Sequence, residues 1–264
     1  MTTSEFETDR RGLIAATLCA LTIAGANLGA AAAPAAKTTA TIRKALPPRG
    51  CYGIVVPGIK RTAFLNAPAG MSLLAFQDHW ISTYGPGLRM RGARSIVFNL
   101  IDKEHSPEKR FDAVTEMVFD SDWAYEQEYL GPRTAYSEEA VHTTPAIVII
   151  GRQIGIRDFD PGRPIPSVKR FGVLRKKPEL NTDTLALTWR NDHAPLFAAN
   201  DYLRRYYINL TDRTYAPDVP WDGYADIWWD DFASTTLHSD ARVPLPDSDS
   251  EQVMYMFMTP TVVI

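Results

Sequence analysis

Cysteine is nearly absent from this chain of 264 residues, which contains only Cys19 and Cys51. Cys19 lies in a segment that we expect to be removed, and a single remaining cysteine forms no internal disulfide. No cluster of cysteine and histidine in the sequence has the spacing of zinc ligands. The sequence therefore argues against a disulfide-stapled scaffold and against a metal site.

An excess of positive charge is also missing. The chain has 28 lysines and arginines against 31 acidic residues, for a formal net charge of −3. This balance creates no basic field, so we do not expect a nucleic-acid partner. The sequence contains neither a glycine-rich phosphate loop nor a nucleophile elbow. What is present is an ordinary folded composition, with 45% hydrophobic residues.

The beginning of the chain has the pattern of an export signal. Arg10 and Arg11 precede an uncharged run, rich in alanine and glycine, that continues through Ala36. A charged start, an apolar middle and a small-residue end are typical of such signals, and paired arginines resemble the twin-arginine type. We predict that residues 1–36 are removed after passage through the twin-arginine machinery, leaving a periplasmic or secreted protein that is not embedded in the membrane. An uncleaved membrane anchor is the alternative.

The remainder of the chain contains one pattern twice. Lys60 and Lys169 are 109 residues apart, and so are Trp80 and Trp189. A nearly constant separation across a whole domain indicates tandem duplication. The predicted segments are a linker at 37–58, a first unit at 59–156, a Pro/Gly connector at 157–166 and a second unit at 167–264.

Each unit is predicted to have the element order βαββαβ, which is the ferredoxin-like arrangement with helices on one face of the sheet. The other face of such a sheet must also be covered. Residues 222–229 place Tyr224, Asp226 and Trp228 on one face of a strand, and both faces are largely apolar. We therefore predict an α+β fold of two tandem ferredoxin-like units, packed sheet to sheet as an intramolecular dimeric α/β barrel.

A tryptophan–histidine stretch organises the second unit. Trp189 and His193 are four positions apart and share one face of a predicted helix, which Pro195 should disturb just after the histidine. In the first unit Trp80 and Tyr84 occupy the equivalent positions, so that tyrosine replaces histidine.

These motifs resemble the EthD domain family of the dimeric α/β-barrel superfamily. The second unit carries the closer match, through Trp189-x-x-x-His193-Ala194-Pro195-Leu196, Tyr206, Asn209 and Asp222-Gly223-Tyr224-Ala225-Asp226. The first unit matches at Trp80, Pro86, Asn99 and Glu116. Two departures are that family members commonly have glutamate where Asp226 stands, and that Tyr84 replaces the histidine. The resemblance implies small enzymes or accessory proteins that act on hydrophobic, often aromatic molecules, a group often classed with the oxidoreductases.

Four residues are candidates for catalysis. His193 could act as a general acid or base, or it could bond a backbone carbonyl at a helix end. Tyr84 could donate a hydrogen bond to an oxyanion or be a half-buried aromatic residue. Glu116 and Asp226 lie in mid-strand, where a buried carboxylate is costly unless paired. They are therefore either functional groups or members of an ion pair between the halves, with arginines such as Arg94, Arg204 and Arg205.

Aromatic residues beside these candidates are predicted to bind the substrate, or alternatively to form the core of the sheets. They are Trp189, Tyr206, Trp228 and Trp80.

The leading expectation is an exported EthD-like enzyme that uses acid–base chemistry, without a bound cofactor, on a small hydrophobic or aromatic substrate in the barrel cavity. The first alternative is an oxidoreductase that depends on haem or a metal, or that assists a monooxygenase, because dye-decolourising peroxidases share the tandem barrel. The second alternative is a non-catalytic module that binds small hydrophobic ligands. The sequence does not specify the substrate.

Overall fold

A computed structural model describes residues 53–84, 92–129, 146–160, 162–240 and 250–262, apart from the side chains of residues 84, 129 and 238–240. The predicted export signal, both cysteines and most of the predicted linker lie outside the described residues. The described residues therefore belong almost entirely to the two predicted barrel units.

Within the described residues the chain forms eight strands, five short helices and two π-helical turns. The strands are β1 Ile54–Leu65, β2 Ala93–Ile101, β3 Ala113–Phe119, β4 Ile147–Arg157, β5 Val168–Lys176, β6 Arg205–Thr211, β7 Gly223–Trp229 and β8 Ser250–Val262. The helices are α1 Leu73–His79, α2 Asp122–Tyr129, α3 Thr182–Thr188, α4 Ala194–Ala198 and α5 Phe232–Asp240, and the π turns are Trp80–Tyr84 and Trp189–His193. In this part of the chain, no helix has the length and apolar character that crossing a membrane requires.

The strands close into one barrel with the order β1-β3-β2-β8-β5-β7-β6-β4. Each half contributes a four-stranded ferredoxin-like sheet, and all neighbouring strands are antiparallel. The halves are joined because β2 pairs with β8 and β4 pairs with β6. These seams give hydrogen-bond partners to strand edges that a single sheet would leave open. The predicted fold class is confirmed, and the sheets are joined at their edges as well as face to face.

The first strand begins at Ile54, inside the predicted linker, and continues to Leu65. Its first residues find a partner in β4, where Ile54 lies opposite Gly155. The pairing is irregular between Val56 and Lys60, and Gly58 adopts a φ of 95° there. A side chain at Gly58 would meet the Phe119 carbonyl oxygen at 1.9 Å, so the bulge requires glycine.

Three buried apolar clusters divide the interior. A helix-side core in the first half contains Phe76, Trp80, Phe98, Met117 and Phe119. A helix-side core in the second half contains Leu185, Trp189, Tyr206, Ile227 and Trp229. A core inside the barrel contains Phe64, Phe111, Phe171, Trp221, Tyr224 and Met256. Successive side chains of β7 thus point alternately into the lumen and into the helix-side core, as the strand pattern predicts.

The prediction that Pro195 disturbs the helix just after His193 is wrong. α3 passes into the π turn Trp189–His193, and α4 follows directly. The Ala194 amide donates to the Trp189 carbonyl across five residues, so the turn is wide. Pro195 lies in the first turn of α4, where its missing N–H is not needed. His193 therefore lies within a continuous helical segment and not at its end.

The β4–β6 seam gives a test of barrel closure. An alanine Cβ at Gly151 would lie 2.1 Å from the Leu210 carbonyl oxygen, whereas one at Gly155 would meet its nearest atom, in the Tyr207 ring, at 3.4 Å. We predict that Gly151→Ala lowers the free energy of unfolding by roughly 1–3 kcal/mol, because backbone must shift. Gly155→Ala on the same strand should be neutral within about 1 kcal/mol. Urea unfolding measures both, and equal stabilities would contradict this seam.

Candidate functional site

Four ionisable side chains meet inside the barrel, and we call them the ion cluster: Lys60, Glu116, Lys169 and Asp226. Each is at most 4% exposed. The Lys60 Nζ contacts the Glu116 carboxylate and lies 3.1 Å from Asp226 Oδ2. The Lys169 Nζ also contacts Glu116 and lies 3.3 Å from Asp226 Oδ1. Each lysine therefore pairs with one carboxylate from each half of the barrel.

Strand alternation explains why these side chains meet. Lys60 and Lys169 precede lumen-facing Thr62 and Phe171 by two residues on β1 and β5, so they share the same inward face. The register sets Thr62 opposite Glu116 and Phe171 opposite Asp226. The ion pair between the halves that the sequence suggests for Glu116 and Asp226 is present. Its cations are lysines, whereas Arg94 and Arg204 pair with Asp120 and Asp230.

Neighbouring polar and aromatic groups fix the carboxylates and the cations. The Asn99 amide donates to Glu116 Oε1 at 2.8 Å, and the Trp228 indole donates to Asp226 Oδ1 at 2.7 Å. The Lys169 Nζ lies 4.4 Å from the Trp228 ring centroid, where the ring face attracts a cation. The cluster is therefore held by bonds that go beyond its own ion pairs.

The two lysines have opposite pKa shifts. Burial lowers the pKa of Lys169, and repulsion from Lys60 adds to this effect, so that the attraction of the two carboxylates does not restore it. Burial also acts to lower the pKa of Lys60, but Glu116 and Asp226 outweigh it and raise that pKa above its ordinary value. Burial acts to raise the pKa of Asp226, yet Lys169, Lys60 and Arg205 hold it well below its ordinary value.

A cavity of 130 Å³, the lumen pocket, opens above the ion cluster. Its walls come from both halves of the barrel and carry more cations than anions. The lining residues are Val56, Lys60, Arg94, Ser95, Val97, Glu116, Val118, Gln153, Lys169, Arg205, Tyr207, Asp226 and Trp228. Of the predicted site residues, the lumen pocket brings together Glu116, Asp226 and Trp228.

His193 lies elsewhere, on the helix side of the second sheet. It lines a pocket of 20 Å³ together with Trp189, Leu185 and residues of neighbouring elements. A single water needs about 10–15 Å³, so this pocket accommodates little more than one water. The structure does not bring His193 to Asp226, because Asp226 enters the lumen on the opposite face of β7.

The remaining predicted residues lie in the cores or outside the described atoms. The Trp189 indole donates to the Tyr206 hydroxyl at 2.7 Å, and both side chains are buried. Trp80 is 1% exposed and packs against Phe98 with a centroid distance of 4.8 Å. Tyr84 ends the first π turn, and its side chain lies outside the described residues. Three predicted substrate-binding aromatics are thus helix-side core residues.

Sequence reasoning missed the lysines of the site. Lys60 and Lys169 served only as markers of the repeated pattern, although each stands in a strand whose inward positions are otherwise apolar or hydroxylated. Two equivalent lysines beside two equivalent mid-strand carboxylates are the signal that could have identified the ion cluster.

Haem, which one predicted alternative includes, does not fit either the lumen pocket or the pocket at His193. Haem iron takes His, Cys, Met or Tyr as axial ligand. The lumen pocket presents lysine, arginine and carboxylate groups, and its phenol, Tyr207, donates to Asp158 at 2.7 Å. The pocket at His193 measures only 20 Å³. His105 Nδ1 lies 2.8 Å from Asp102, and its ring stacks on Phe232.

The ion cluster predicts a specific acid sensitivity. Because the pKa of Asp226 is lowered by folding, its charge stabilises the fold above its ordinary pKa of 3.8, and this contribution is lost as the pH falls further. Asp226→Asn should lower the stability at pH 7 by roughly 3–5 kcal/mol and should flatten the acid limb of a stability–pH curve from urea unfolding. Asp120→Asn, at a side chain that is 70% exposed, is the matched control. A variant Asp226→Asn with the full acid sensitivity of the natural chain would contradict the pairing.

Comparison with known proteins identifies structures with a similar fold. No protein-family model matches the chain, and no curated protein matches it. A proposed chlorite dismutase has a similar structure with a TM-score of 0.51 and 10% identity, over 79% of this chain and 96% of that one. A proposed monooxygenase from Lactobacillus acidophilus follows with 0.46 and 11%, over 78% and 95%. A haem-binding protein from Thermus thermophilus has 0.44 and 12%, over 80% and 94%. The first likeness shows that this chain has the fold of the dimeric α/β barrels.

Proposed function

We propose that this chain is an enzyme that moves a proton on a small molecule held in the lumen pocket, without a bound cofactor. One observation carries the proposal: two equivalent lysines, each paired with two carboxylates, lie in one buried cluster that lines a cavity. A base and a fixed cation at one site are what proton abstraction needs.

The residues then take distinct roles. Lys169 is the proton acceptor, because a lowered pKa leaves more of its amine neutral near physiological pH. Lys60 stays protonated and, with Arg205, stabilises negative charge that develops on the substrate. Glu116 and Asp226 position the two lysines, and Trp228 fixes Asp226. His193 has no direct contact with the substrate in this scheme.

The proposal includes the origin and location of the chain. We propose that it is a divergent member of the EthD domain family, on the support of the motif from Trp189 to Leu196 and of Asp222-Gly223-Tyr224. We also propose that the barrel acts outside the cytoplasm after twin-arginine export, on the support of Arg10 and Arg11 before an apolar run.

An oxidoreductase is the second candidate, and the fold shared with a proposed chlorite dismutase favours it. Proton removal by Lys169 would leave an electron-rich substrate that dioxygen can oxidise, so the lumen pocket suits this reaction without haem. Oxygen uptake that accompanies turnover supports this candidate, whereas turnover in an anaerobic solution supports simple proton transfer. Binding without any turnover would instead identify a non-catalytic binding module.

Variants at Lys169 test the proton transfer. Small 2-oxo acids in D₂O serve as probes, since ¹H NMR follows exchange of the hydrogens beside their ketone. We predict that Lys169→Met slows the exchange by roughly 10²–10⁴-fold. Lys169→Arg keeps the charge but cannot release its proton, so it should be equally slow. The rate of the natural chain should rise with pH towards a pKa below the ordinary 10.5, and His193→Ala should retain it. An active Lys169→Arg variant would exclude Lys169 as the base.

Export is tested at the paired arginines. Changing both Arg10 and Arg11 to lysine should leave the precursor inside the cell, because the twin-arginine route depends on that pair. Arg49→Lys, outside the predicted signal, is the control. Cell fractionation and immunoblotting locate the protein, and normal export of the double variant would exclude this route.

A further inference from the structure

We infer that the lumen pocket is a binding site for a small monocarboxylate whose carboxylate is received by Arg205. The role of this carboxylate as substrate rests on the proposed function, whereas its binding can be measured without turnover. The inference depends on three features of the pocket, which are a rigid arginine, an excess of positive charge and a small volume with partly apolar walls.

Arg205 is a cation of the pocket that three aromatic rings and one carboxylate hold in place. Its guanidinium lies 4.5 Å from the ring centroids of both Phe159 and Tyr207, and 5.7 Å from that of Trp228. Its Nε lies 3.3 Å from Asp158 Oδ1, and the side chain remains 27% exposed. A planar guanidinium that is already fixed loses little entropy when it binds a carboxylate with two parallel hydrogen bonds.

The charges around the pocket favour an anion. Its lining includes the cations Lys60, Arg94, Lys169 and Arg205, against the anions Glu116 and Asp226. The acids that pair with the two arginines, at positions 120 and 158, are not among the lining residues. An incoming anion therefore meets two guanidinium groups whose partner acids lie behind them, outside the lining of the pocket, and partial burial strengthens its attraction to them.

The volume and the walls limit the rest of the ligand. A cavity of 130 Å³ has room for about ten water molecules at roughly 10–15 Å³ each. Val97 and Val118 line one side and Trp228 lines another, which suits a short apolar chain. A carboxylate with a tail of two or three carbons fits these limits, and a long fatty acid does not.

Calorimetric titration of the full chain at pH 7 and constant ionic strength tests the inference, with propionate as the probe. Propionamide, which has the same shape without the charge, should bind at least about tenfold more weakly. Arg205→Gln should lose about tenfold or more in propionate affinity. Arg175→Gln, which alters an arginine paired with Glu251 away from the pocket, is the matched control and should bind as the natural chain does.

Specific results would overturn the inference. Equal affinity of the natural chain for propionate and propionamide would exclude carboxylate recognition, and this comparison does not depend on whether any variant folds. A folded Arg205→Gln protein with unchanged affinity for propionate would exclude Arg205 as the group that binds the carboxylate. Displacement of propionate by equimolar chloride would reduce the site to an unspecific anion site. Propionate binding together with an active Lys169→Arg variant would support this carboxylate site and exclude the proposed proton transfer. An inactive Lys169→Arg variant in a chain that does not bind propionate would support the proton transfer and exclude the carboxylate site.

Discussion

The structure depends on the pairing of four charges in a closed barrel. Removing each ion from water costs several kcal/mol, and Lys60, Glu116, Lys169 and Asp226 are all buried. The arrangement offsets this cost because each lysine approaches both carboxylates, one from its own half and one from the other. Each half therefore pairs one lysine with one carboxylate by itself, and closure of the barrel gives every charge a second partner from the other half. The barrel seams and the ion cluster support each other for this reason.

The two faces of each sheet then serve different purposes. The helix-side faces are packed with large aromatic residues such as Trp80 and Trp229, and they provide most of the apolar burial. One end of the lumen is filled by Phe64, Phe171 and Tyr224, whereas the other end remains open above the ion cluster. A polar cavity with a buried, charged floor is thereby built into an otherwise apolar barrel, and that contrast is the physical basis of the proposed chemistry.

Much of the fold follows from the sequence, because strand alternation and a repeated βαββαβ order are local patterns. The faces of β7 are an example, since Tyr224, Asp226 and Trp228 share one face as predicted. The site follows less well, because strand alternation does not say which face becomes the lumen, and the lysine partners of Glu116 depend on barrel register. His193 attracted attention through its spacing from Trp189, but the π turn before Pro195 sets it beside a pocket that is too small for a substrate.

The central claim is that one cluster drives two equivalent lysines to opposite protonation behaviour beside the lumen pocket. A ¹³C NMR titration of the chain with ¹³Cε-labelled lysine measures this most directly, with Lys60→Arg and Lys169→Arg variants to assign the two signals. The account predicts that Lys169 loses its proton below the ordinary pKa of 10.5, while Lys60 is still protonated where exposed lysines have titrated. Titration of both lysines together with the exposed ones would contradict the account.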